Sequence, residues 1–101
     1  MAELTLIYWR DIPAQVIARA GRNSAKAQLA ARFTEAIDSA AMRAGLTNSD
    51  AYLAEWRRGD PTPCADDLDA AVDAAVDALD RDYPPARLKA LIDNGGKEGG
   101  A

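Results

Sequence analysis

Between Leu4 and Trp9 the chain sets Leu4, Leu6 and Tyr8 against Thr5, Ile7 and Trp9, and this period of two places strand-forming sequence at the amino-terminal end. Both sets are apolar or β-branched, so the strand is expected to be covered at least partly on both faces. Asp11-Ile12-Pro13 then interrupts it. Pro13 has no N–H and holds Ile12 extended, which turns the chain. Gln15–Ala20 predicts a second strand, with Val16, Ala18 and Ala20 on one side and Ile17 and Arg19 on the other, and Gly21 ends it. The expectation is a β-hairpin over residues 3–22. A helix over 14–20 is the rival, because most of those residues are good helix formers.

Downstream the period changes to that of a helix. Ser24 is a candidate N-cap. Phe33, Ile37, Ala40, Ala41 and Ala44 share one helical face, and Gly45 stands where a C′ glycine belongs, followed by apolar Leu46. Thr47–Asp50 reads as a turn. Tyr52, Leu53 and Trp56 predict a short helix closed by Gly59, while the alternation of Tyr52, Ala54 and Trp56 allows a third strand instead. Asp60–Cys64 reads as a proline-stiffened loop. Asp66 or Asp67 caps a long helix with an apolar stripe of Leu68, Ala71, Val72, Ala75, Val76, Leu79 and Tyr83. Pro84-Pro85 breaks that helix, and Ala86–Ile92 predicts a last one. The fold class is therefore α+β: an N-terminal hairpin, with or without a third strand, packed on three to four helices. Residues 1–93 form one domain and 94–101 a disordered glycine-rich tail.

Composition limits the chemistry. The 101 residues include no histidine and one cysteine, Cys64. The commonest general base, zinc ligand and partner of a nucleophilic Ser or Cys is therefore absent. One thiol per chain cannot build a cysteine-ligated zinc or iron–sulfur site. Gly95-Gly96-Lys97 lacks the flanking strand and helix of a phosphate loop. No catalytic motif, cofactor or metal is expected, which argues against an autonomous enzyme. No basic leader or apolar stretch of membrane-spanning length occurs, and the lone cysteine fits a reducing compartment, so a cytoplasmic protein is expected.

Charge is uneven. Residues 1–58 carry net +2 and residues 59–101 net −6, giving −4 overall. The acidic balance argues against nucleic acid as partner. Asp66, Asp69, Asp73, Asp77 and Asp80 fall on one stripe of the long helix. Such a stripe is usually a solvated face, with carboxylate metal binding or docking of a basic partner as the alternatives. Tyr8-Trp9 stands beside an expected Arg10–Asp11 ion pair, and Trp56 beside Arg57-Arg58. Tryptophan is most often core. Trp–Arg pairs are also what interface hot spots are made of. The candidate binding residues are therefore Trp9, Arg10, Arg22, Trp56 and Arg57, which would form one basic, aromatic-walled surface if the segments meet. Arg19, Lys26 and Arg32 would extend that surface or be plain solvated charges.

The tracts Tyr8-Trp-Arg-Asp-Ile-Pro-Ala-Gln15 and Tyr52-Leu-Ala-Glu-Trp-Arg-Arg58, with Gly21-Arg22 and Ala41-Met-Arg-Ala-Gly45, resemble a small, mainly alphaproteobacterial family labelled as a virulence factor domain. The resemblance runs from Leu4 to Ile92. It implies a non-catalytic accessory role alongside folate- and corrinoid-linked one-carbon transfer, and it implies no catalytic residues. The expected function is thus a cytoplasmic accessory module that binds a partner protein. Two alternatives stand beside it. One is a small enzyme or carrier for an anionic metabolite such as a folate, with arginines pairing its carboxylates and tryptophans stacking on its ring. The other is a structural homodimer built on the Leu68–Leu79 stripe.

Overall fold

The computed structural model describes residues 2–46 and 49–97. Five strands and four helices follow one another as β1 (Glu3–Trp9), β2 (Ile12–Ala20), β3 (Asn23–Gln28), α1 (Ala31–Arg43), α2 (Ser49–Ala54), β4 (Trp56–Arg58), β5 (Thr62–Pro63), α3 (Leu68–Asp82) and α4 (Pro85–Asp93). The sheet is antiparallel in the order β3-β2-β1-β4, with β5 pairing further along the same edge of β1 as β4. The α+β expectation holds, and the sheet is larger than a hairpin.

The hairpin register explains the proline. Leu6 pairs with Val16 and Ile7 with Gln15, but Tyr8 pairs with Pro13, so Ala14 is the extra residue of a bulge. A bulge is one of the few places where a sheet tolerates proline. The Ala14 carbonyl accepts instead from the Leu29 N–H at 3.1 Å. The second strand consequently starts at Ile12, three residues earlier than its side-chain pattern indicates.

Ser24 caps no helix. It lies in β3, where Arg19 pairs with Ser24, Ile17 with Lys26 and Gln15 with Gln28. Local propensity in Ser24–Gln28 is weak, and pairing with the long β2 decides its conformation. Helix α1 starts later, with Ala30 in the N-cap position and no side-chain cap. Its other end is as expected. Gly45 has φ +74, the Leu46 N–H donates to the Ala41 carbonyl, and the Gly45 N–H donates to Met42, the two bonds of a Schellman motif. The segment read as either helix or strand is both, α2 through Ala54 and then β4 from Trp56. The loop at 60–64 contributes β5. The turn expected at 47–48 lies outside the described residues.

Helix α3 lies across β2 and β3, and α1 packs on α4 and on β2. The rows Leu4–Ala18–Ala25 and Leu6–Val16–Ala27 face the interior together with Val72 and Leu79 of α3. Beyond them Trp9, Ile12, Phe33, Ile37, Leu88 and Leu91 close the core between sheet, α1 and α4. Asp67 caps α3, its Oδ1 accepting from the Ala70 N–H at 3.1 Å. Arg32 ties the start of α1 to the end of α3 by donating to the Asp80 and Tyr83 carbonyls at 3.0 and 3.3 Å. Phe33 meets Tyr83 edge-on at 6.0 Å.

Candidate functional site: a locked corner and an open sheet face

Strand β1 ends in a dense corner. Trp9 is fully buried, at 0 % exposure. Its Nε1–H donates to the Tyr52 carbonyl at 3.0 Å, and its ring stacks on Tyr52 at 5.7 Å. Arg10 follows in the left-handed region at φ +53, a conformation that costs a non-glycine residue about 1 kcal/mol or more. The surroundings hold it there. Its N–H donates to the Glu55 carbonyl at 3.1 Å, Nη2 to Glu55 Oε1 at 2.9 Å and Nη1 to the Gly95 carbonyl at 2.9 Å. The guanidinium sits 5.3 Å from the Trp9 ring centroid, and its Nε is buried without a partner.

The ion pairs differ from the expected one. Arg10 pairs with Glu55, whereas Asp11 pairs with Arg57 at 3.2 Å. The left-handed turn at Arg10 sends the two neighbouring side chains apart. Arg57 also donates from Nε to the Arg10 carbonyl at 2.9 Å and lies 4.5 Å from the Tyr8 ring centroid. Trp56 pairs directly across from Trp9, is half-buried and meets Tyr52 edge-on. Burial, and then the negative charge of Asp38, push the Tyr52 hydroxyl above its ordinary pKa.

Four of the five candidate residues therefore meet, but they do not form the expected basic, aromatic-walled surface. Trp9 has no exposed area, the Arg10 side chain is 14 % exposed, and Arg57 is committed to Asp11 and the Arg10 backbone. Stacking of Trp9 on a folate ring is thereby closed off. Arg22 is exposed in the β2–β3 turn, at the opposite end of the sheet. The glycine-rich segment is also corrected over its first part. Gly95 and Gly96 are buried, and the Asp11 N–H donates to the Gly96 carbonyl at 2.9 Å. A Cβ on Gly96 would stand 2.8 Å from Trp9 Cζ3, so only glycine passes the ring this closely. Residues 98–101 of that expected tail lie outside the described residues.

The aspartates of α3 divide as a solvated face does. Asp69, Asp73 and Asp77 are exposed, while Asp80 pairs with Arg32 at 3.5 Å. Among the described residues no group of three or more His, Cys, Asp or Glu side chains is placed to hold a metal ion. Cys64 is half-buried against the core, its N–H donating to the Ala2 carbonyl.

A second region emerges from the register. Opposite the helix-covered rows, the other face of the sheet carries Glu3, Thr5 and Ile7 on β1 and Gln15, Ile17 and Arg19 on β2. Ser24, Lys26 and Gln28 of β3 and Arg58 of β4 share this face. Ile7 and Ile17 are half-buried, yet neither belongs to the core or packs on it. Glu3, Thr5, Ile17, Arg19 and Arg58 line one small depression of about 260 Å³, below the usual volume of ligand pockets. No ion pair is found for Arg19, Lys26 or Arg58 among the described residues. The signal for this face was present in the apolar Ile7 and Ile17, which alternate against Leu6 and Val16.

A small α+β domain with helices over one side of an antiparallel sheet and a cationic, partly apolar opposite side is the class of protein these features define. The chain belongs to the virulence factor family, whose model matches residues 7–92. No curated protein and no solved structure matches it. No helix among the described residues is long and apolar enough to cross a membrane.

Proposed function

We propose that the chain is a non-catalytic docking module that recognises another protein through the open face of its sheet. The observation that carries this function is the face itself: Ile7 and Ile17 outside the core, ringed by Arg19, Lys26 and Arg58, which have no ion-pair partners among the described residues. Half-buried apolar side chains under a rim of uncommitted cations suit a protein surface, where burial supplies affinity and charge supplies orientation. The corner of Trp9, Arg10, Trp56 and Arg57 serves a different purpose, fixing the edge strand β4 against β1.

The test uses the face variants Ile17→Thr and Arg58→Glu beside Arg22→Ala, all checked for an unchanged melting transition. Native complexes are isolated from lysate with each variant. The expected result is loss of the co-purifying protein with the first two and retention with Arg22→Ala. Equal recovery with all three overturns the assignment.

A further inference from the structure

Resting on that docking role, we infer that the open face takes an acidic amphipathic helix of the partner protein. Three features select this occupant. The first is charge. Around Thr5, Ile7 and Ile17 stand Arg19, Lys26 and Arg58 with Glu3 as the one acid among the described residues of the face, whereas the chain as a whole carries −4. Three of the chain's twelve Lys and Arg side chains stand on this face, so that it is locally cationic in an acidic chain, and they favour a partner with carboxylates at its apolar border.

The second is size. The row Lys26–Ile17–Thr5 spans three adjacent strands, about 10 Å across at ordinary strand spacing, which matches the width of one helix. The apolar patch is too narrow for a second sheet, which would bury whole rows of its own. The third is precedent within the molecule. The opposite face is covered by α3, whose Leu68, Val72, Val76 and Leu79 stripe faces the sheet while Asp69, Asp73 and Asp77 face outward. A helix of similar character on the open face completes the helix–sheet–helix layering that buries a sheet on both sides.

A second copy of this chain is the weaker occupant. An isologous dimer through the face sets one cationic patch against another. Pairing the face with α3 of another copy is heterologous and builds rings or open chains rather than a closed dimer.

The experiment titrates the isotopically labelled full chain with a synthetic peptide of about 15 residues, long enough to hold a helix on a surface. Its Leu residues recur at i, i+3, i+4 and i+7, and its flanking positions are Glu. A Lys-for-Glu analogue and an apolar-free Glu-rich peptide serve as controls. Expected are amide shifts confined to Thr5, Ile7, Ile17, Lys26 and Arg58, and binding only by the first peptide. Binding should weaken about tenfold in Ile17→Thr and fall between about 0.05 and 0.3 M salt. If all three peptides bind alike, or shifts map to α1 and α4, the acidic-helix inference is overturned. The docking role then stands or falls on lysate recovery with the Ile17→Thr and Arg58→Glu variants. Concentration-dependent mass growth in light scattering, abolished by Ile17→Thr, assigns the face to self-association and overturns both.

Discussion

Gly96→Ala isolates the contact that closes the corner around Trp9. Two penalties combine there. At φ +92 an alanine lies outside the conformations open to L residues, and its Cβ stands 2.8 and 3.2 Å from Trp9 Cζ3 and Cε3. Backbone strain of this kind costs about 1–3 kcal/mol and forced overpacking about 1–3 kcal/mol. Gly21→Ala is the matched control, since Gly21 is also left-handed, at φ +59, but nothing stands within 4 Å of its Cβ. Both substitutions stiffen the unfolded chain by the same about 0.4–1 kcal/mol, so that contribution cancels between them. Gly96→Ala should therefore be less stable than Gly21→Ala by about 1–3 kcal/mol, a gap in Tm of at least about 4 °C for a domain of this size. Urea unfolding followed by fluorescence in a Trp56→Phe background reports on Trp9 alone. In a Trp9→Phe background the gap should shrink, because the atoms in collision are gone. Equal losses for the two alanine variants refute the packing of Gly96 on Trp9.

Other consequences are equally accessible. A double-mutant cycle on Arg10→Ala and Glu55→Ala should give a coupling of about 1 kcal/mol that diminishes with salt, since the pair is 14 % and 35 % exposed. Additive losses in urea melts would show that the pair is decorative. Trp9→Phe should cost about 1–3 kcal/mol by leaving the Tyr52 carbonyl without its indole donor, and Tyr52→Phe should not share that cost. Because the folded Tyr52 pKa is raised, the unfolded state loses this proton first as pH rises. Its contribution is whole below pH about 10 and declines as pH climbs through the folded pKa, so melts between about pH 9 and 11.5 should show a fall that Tyr52→Phe flattens. Asp67→Ala should lower stability by about 0.5–2 kcal/mol through the lost cap of α3, read as an earlier thermal transition.

The elements that rest on their own side-chain periodicity were the legible ones. α1, α3 and α4 carry apolar stripes at helical spacing, and Gly45 and Pro84-Pro85 punctuate them. β1 alternates leucine with β-branched residues and ends in an aromatic pair. β3 was hidden because Ser24, Ala25 and Ala27 have no strand character of their own, and only the facing backbone of β2 makes them extended. β5 is two residues long and owes its existence to β1. At the corner, Trp9 was conspicuous from composition, but its direction depended on Tyr52 and Gly96, 43 and 87 positions away. Gly95-Gly96 looked like flexible chain because glycine reports freedom when unpaired and close approach when packed. Their neighbour across the corner, Arg10, could not be known to take a left-handed backbone, and that turn redirected both expected ion-pair partners.

The Arg10–Gly95 hydrogen bond joins residues 85 positions apart, and its neighbours Trp9–Tyr52 and Arg10–Glu55 span 43 and 45. During synthesis the hairpin of β1 and β2 emerges complete while its far corner has nothing to close on. The Trp9 indole stays wet until α2 arrives, and the Arg10 guanidinium lacks its second anchor until the chain has run past α4. Loop-closure entropy grows slowly with length, so the delay adds little to the final stability. Contacts of such separation are costly to close early, and where they form after the transition state their loss speeds unfolding rather than slowing folding.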